Sequence, residues 1–476
     1  MAADLEQYRG ICSHATSTIA KDTMQASPFT LTMPEKSTHP LATGWLLLAL
    51  SSLVGAGLVV ILIVLARTPL IYTLIPWTGS FRTALVIHVD LSVLVWFLSF
   101  AGLLISLTLA ERFAKPGKIA LGLSLLGTLI LTFSPFLGED APFMNNYVPV
   151  LNNRAFFLGL GLFTIGFTLL VLCGLLGRRP ALHAGERSLR FGLLSALLPF
   201  LLALATLIWS GFELRSTTTH DEHYFELLFW GGGHLLQFTH VQLQMLAWLW
   251  LGTLAGLPPF LTPRMAIPLF TLGVLPALFG AFIPFLHSVE SGGYRLAFTD
   301  LMIYGGGLAS FPLGMLLAWS LWQAQPATPE QEPLRLALRT SLILFLFGGV
   351  IGFMIQGINV TIPAHYHGSI CSITLVYMGL TYHLLPGLGF PRPAPRWANH
   401  QLNLYAIGSL LHIIGLAWSG GHDVQRKTAG AAQGLATLAD KIPMWITGAG
   451  GMIAVAGGIL FLVLAFRSLR QGRNTP

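Results

Sequence analysis

Of 476 residues, 54% are hydrophobic and only 9% carry a charge, giving a mean hydropathy of +0.70. Such a chain excludes a water-soluble globule. Apolar runs of about 17–30 residues recur along nearly its whole length, each able to cross about 30 Å of hydrocarbon. The formal charge of +7 does not point to nucleic acid, because the basic residues sit in short connections between these runs. Cys12, Cys173 and Cys371 are far apart and form neither a disulfide framework nor a CxxCH or thiolate metal motif.

In chain order, residues 1–42 read as a polar tail without a signal-like apolar core. A transmembrane domain follows over 43–468, and 469–476 form a second short tail. Twelve spans are expected, near 45–66, 81–110, 117–136, 155–177, 190–211, 225–256, 265–287, 298–323, 338–358, 362–388, 401–420 and 443–466. The predicted fold class is therefore an all-α membrane protein with twelve transmembrane helices. Gly and Pro interrupt several spans, which a packed bundle tolerates because neighbouring helices re-satisfy the backbone. Most of the 26 lysines and arginines fall on the side that holds both termini. By the positive-inside rule both termini are then cytoplasmic.

That orientation makes the histidines informative. His88 lies about two turns into span 2, His234 a similar distance into span 6, and His365 and His367 open span 10. His287 closes span 7 at the same outer end. At about 1.5 Å per residue all five fall in the outer third of the membrane. Imidazoles from four helices at one depth point to a shared metal layer, since ionisable groups inside a bilayer are costly. His365 and His367 are two residues apart, so their side chains diverge by about 200° around a helix. One helix thereby offers a ligand to each of two centres lying on either side of it.

The His-aromatic-His of span 10, with His88, the Trp230-Gly231 stretch before His234, and Arg426-Lys427 after span 11, resembles the haem–copper oxidase superfamily. The likeness is to its twelve-helix catalytic subunit I and covers essentially the whole chain. It implies two haems, a bacterial inner (cytoplasmic) membrane location and a respiratory role. In that family the first span-10 histidine holds the high-spin haem and the second holds the low-spin haem. The resemblance thus assigns His365 to the high-spin iron, and His88 with His367 to the low-spin iron. Two imidazoles fill both axial positions of an electron-transfer haem, whereas one leaves a face open for substrate.

The resemblance also implies a distal metal, copper or non-haem iron, held by His234 and by span 7. The family's usual His-His pair on span 7 is here His287 alone, between Leu286 and Ser288. Glu290 and His240 are the candidate further ligands, although His240 lies about 240° around the helix from His234. Arg426 and Lys427 stand where the family pairs two basic residues with haem propionates. Outside this set, Asp90 and Asp300 are intramembrane carboxyls, Glu226 suits a short outer proton path, and His383 and His412 read as structural or channel-lining.

The family performs two chemistries. Terminal oxidases carry a tyrosine bonded to a histidine ligand; one turn past His234 stands Phe238, and Met265–His287 contains no tyrosine. No Glu follows the span-6 histidine in the proton-channel pattern, and spans 6 to 10 hold no lysine. Joining two nitric oxide molecules into nitrous oxide requires two electrons and two protons, and neither device. The expectation is therefore a nitric oxide reductase-like enzyme. The alternatives are a terminal oxidase reducing dioxygen to water, and a haem electron carrier or sensor lacking the distal metal. Electrons are expected from a donor subunit, a cytochrome c, a cupredoxin or quinol.

Overall fold

The computed structural model describes residues 29–33, 38–74, 78–138 and 141–472. Twelve long helical segments follow one another there: α1 His39–Arg67, α2 Phe81–Thr108, α3 Ala114–Phe133, α4 Arg154–Leu176, α5 Ala184–Glu213 and α6 Glu222–Leu254. The second half comprises α7 Pro263–Gly280, α8 Gly292–Gln323, α9 Glu332–Gly352, α10 Thr361–Gly387, α11 Pro395–Gly420 and α12 Leu438–Arg470. Eleven of these regions are long and apolar enough to cross a membrane. The twelfth, α6, is 33 residues long but carries Glu226, Gln237, Gln242 and Gln244 besides its histidines. Most of its surface is buried inside the bundle, so those polar groups face protein.

Consecutive helices pack as antiparallel neighbours, and α12 returns to α1. Polar interruptions set the helix ends. Pro40, Pro333 and Pro395 stand in the first turns of α1, α9 and α11, where a missing N–H costs nothing. They start these helices about six residues before the expected spans. Helix α9 stops at Gly352, short of the expected 358, and beyond it Gly357 takes φ +76° in the connection to α10. Within α2 the residues Asp90–Val95 form a π-helical segment directly after His88. Helix α8 breaks between Gly305 and Ser310, and α7 continues as a short turn, Ile283–Leu286.

Two features depart from a purely helical chain with a free polar tail. Pro142–Phe143 and Val150–Leu151 pair as a small antiparallel ribbon between α3 and α4. The segment 29–33 is bound to the bundle end opposite that ribbon, with Phe29 and Leu31 buried. There the Phe29 N–H donates to Thr253 Oγ1 at 3.2 Å, and the Thr32 hydroxyl donates to the Glu186 carboxylate. Glu186 is fully buried and also pairs with Arg190 at 2.6 Å.

Candidate functional site

The starts of α2, α6 and α10, the end of α7 and the loops after α3 and α11 meet at the ribbon end of the bundle. Five imidazoles near this end share one device. His88 Nδ1 lies 3.2 Å from the Ala56 carbonyl and His367 Nδ1 2.7 Å from Pro363 O. His365 Nδ1 lies 2.7 Å from Gly348 O, His234 Nδ1 2.6 Å from Trp230 O, and His412 Nδ1 2.8 Å from Thr447 O. A carbonyl accepts, so each ring in its neutral form carries its proton on Nδ1 and leaves the Nε2 lone pair free. A backbone acceptor behind the ring is the usual way to orient an imidazole ligand.

The two α10 histidines face different neighbours. His365 turns to α9, where Gly348 and Gly352 are the only residue type that fits. A Cβ at 352 would stand 2.7 Å from His365 Nδ1, and one at 368 would stand 2.4 Å from the Gly348 Cα. His367 turns towards α11, its ring 5.0 Å from that of His412. His88 and Arg67 are neighbours of His367 and His412 as well.

Arg67, at the end of α1, was missed in the sequence, where it looked like an ordinary basic residue closing a span. Its Nε donates to Gln433 Oε1 at 3.3 Å, and Gln433 returns a bond to the Arg67 carbonyl. Its Nη2 is buried without a hydrogen-bond partner. An orphaned guanidinium N–H beside imidazoles with free Nε2 atoms suits a metal porphyrin bearing acceptor groups. His88 and His367 thus share one neighbourhood with Arg67, while His365 faces the opposite side of α10 towards α9.

The residues named for a distal metal do not assemble in this way. His234 is buried, with the rings of Tyr147, Trp230 and Phe298 at 4.6, 4.7 and 5.5 Å. His287 and Glu290 are exposed at the end of α7, and His287 lies against Gly293 at the start of α8. His240 sits on an unbroken α6 and packs against Phe97 of α2, its two nitrogens without hydrogen-bond partners. Among the described residues no three His, Cys, Asp or Glu side chains come together as a metal-binding group. The side chains present therefore do not fit a three-ligand distal centre.

Tyr147 was also missed, because it comes from the α3–α4 loop and not from the helices searched for a phenol. The triple glycine of α6 admits it: a Cβ at 233 would stand 2.2 Å from Tyr147 Cγ. Its neighbours on the loop are tied down. The Asn146 backbone N–H donates to Glu226 Oε2 at 2.9 Å, and the Asn146 amide donates to the other carboxylate oxygen. Arg426 donates to Asn146 Oδ1 and the Lys427 ammonium to the Met144 carbonyl. The two basic residues thus hold the loop over α6. Burial, then the adjacent Arg426, pushes Lys427 down to about 8. Burial, with Glu226 nearby, raises the Tyr147 phenol above its ordinary value. Of the remaining carboxyls, Asp90 is buried with both oxygens unpartnered in the π segment, whereas Asp300 is exposed.

This fold is that of the haem–copper terminal oxidases. A solved structure, "Cryo-EM structure of a heme-copper terminal oxidase dimer provides insights into its catalytic mechanism", superposes with a TM-score of 0.64. The match covers 93% of this chain and 85% of that one at 16% identity. No protein-family model matches the chain. Among curated proteins it is 29% identical to Uncharacterized protein RP382 of Rickettsia prowazekii (strain Madrid E), over 90% of this chain and 96% of that protein. It is 30% identical to an uncharacterized protein of Aquifex aeolicus (strain VF5), over 73% of this chain and 85% of that protein. The chain belongs to one family with these two proteins.

Proposed function

We propose that this chain is a two-haem respiratory oxidoreductase of the bacterial inner membrane that reduces nitric oxide to nitrous oxide. The observation that carries the reading is the divergence of His365 and His367, each with Nδ1 held by a carbonyl and Nε2 free. Bound haem supplies one-electron transfer at the low-spin site and gas binding at the high-spin site. The protein's part is to orient: Ala56 and Pro363 fix the imidazoles of the electron-transfer side, and Gly348 fixes that of the gas-binding side. Joining two nitric oxide molecules consumes two electrons and two protons and releases nitrous oxide and water. Glu226, at the outer end of α6, supplies a carboxylate for a short proton route from that face. Both termini are assigned to the cytoplasm. The electron donor is a partner subunit, a cytochrome c, a cupredoxin or quinol.

Dioxygen reduction is the second reading, favoured by the Tyr147 ring beside His234. Loss of nitric oxide and of dioxygen, measured side by side with one artificial donor, separates the two. Nitrous oxide formation with little dioxygen uptake is expected. Fast dioxygen uptake without nitrous oxide overturns the nitric oxide reading. Neither activity, in a protein that holds two haems, would favour a haem electron carrier or sensor.

A further inference from the structure

We infer that His234 acts in this chain as a free imidazole in an aromatic-walled pocket, and not as one ligand of a three-residue metal centre. The inference rests on the proposed gas-binding haem at His365. A copper, zinc or non-haem iron site needs at least three protein donors converging at about 2 Å from one point.

The donors nearest in sequence are each committed elsewhere. His287 follows the last turn of α7, exposed, with its ring against Gly293, and Glu290 is exposed three residues on. His240 is six residues along an unbroken helix, about 240° away, and its ring meets Phe97 at 5.0 Å. Glu226 is eight residues before His234, roughly 12 Å by helical rise, and its two oxygens accept from Asn146. What the His234 ring meets instead is aromatic: Tyr147, Trp230 and Phe298, with the Trp230 indole N–H buried and unpartnered.

This wall is built into the sequence. Gly233 clears the space that the Tyr147 ring fills, and the loop bearing Tyr147 is pinned through Asn146 to Glu226 and Arg426. The Trp230 carbonyl fixes the His234 proton on Nδ1, so Nε2 presents a lone pair on a ring that is only 3% exposed. An imidazole so held accepts a hydrogen bond or takes a proton at Nε2. A metal bound there would have His234 as its only imidazole ligand among the described residues.

The test uses full-length protein purified with its haems. Total metals by mass spectrometry are compared with haem by pyridine haemochrome, and the Fe–CO stretch of the reduced carbonmonoxy form is recorded by resonance Raman. Iron equal to haem, with no copper or zinc, is expected. His234→Ala and the milder His234→Gln should shift the Fe–CO frequency, whereas His287→Ala and Glu290→Gln should leave it unchanged. A stoichiometric non-haem metal that is lost in His287→Ala or Glu290→Gln overturns the inference while the haem reading stands. An Fe–CO stretch indifferent to both His234 substitutions overturns it too. A preparation that binds no haem overturns the haem reading and the inference with it.

Discussion

The α11 side of α10 and the α6 region differ in how they use histidine. On the first, His88, His367 and His412 share one neighbourhood with Arg67, whose Nη2 has no partner. In the second, His234 is equally well oriented by a carbonyl but meets three carbon rings. The first arrangement gathers imidazoles and a guanidinium in one place; the second sets one imidazole among aromatic rings. Equal depth in the membrane therefore does not make a common ligand set. Azimuth around each helix, and what the loops insert between helices, decide which imidazoles converge.

Substitutions sharpen this contrast. The largest effect is expected for His367→Ala, which should abolish steady-state electron transfer and halve the haem content. His412→Ala should retain both haems; equal haem loss in the two variants would break the assignment of His367 as the axial ligand. Gly368→Ala comes next, because its Cβ would press on the Gly348 backbone at 2.4 Å, and neither helix has a flexible side chain to yield there. A loss of about 1–3 kcal/mol or more is expected, read as a fall in melting temperature in detergent. Gly233→Ala meets a loop side chain and not helix backbone, so its stability cost should lie below that of Gly368→Ala. Its signature is faster hydrogen exchange over 142–151 with α9 and α10 unchanged.

Asn146→Ala removes the acceptor of Arg426 and the side-chain donor to Glu226, leaving the backbone donor, at an exposed position. A change within about 1 kcal/mol, with the same exchange signature in weaker form, is expected. The smallest effect concerns pH. The Lys427 pKa is lowered from its ordinary 10.5 to about 8, so between these values the unfolded chain holds a proton that the folded chain has released. Stability of the haem-free protein should rise as pH climbs through that window. Lys427→Met should flatten the rise in chemical-denaturation curves.

Much of this architecture was legible in the residues. Long apolar runs located the twelve helices, and the two-residue spacing of His365 and His367 required them to face different neighbours. Helix starts were less legible: Pro40, Pro333 and Pro395 begin helices within residues that hydropathy alone treats as connection. The site was readable where contacts follow helix periodicity and opaque where they do not. Tyr147 reaches His234 from a loop 87 positions earlier in the sequence, and Arg67 meets His367 across 300 positions; no spacing rule encodes such pairs. His287 was correctly placed at the end of α7, but hydropathy does not reveal that its ring stays outside.

The short segment 29–33 carries a consequence for how the chain is made. Its hydrogen-bonding partners include Arg179, Glu186 and Thr253, the last 224 positions downstream. A ribosome supplies that segment well before Thr253, which lies near the end of the sixth helix. Thr32 meets Glu186 on α5, whereas the Phe29 N–H has its acceptor, Thr253, only once α6 is made. The full set of contacts of this early segment therefore requires the whole first half of the bundle, through α6.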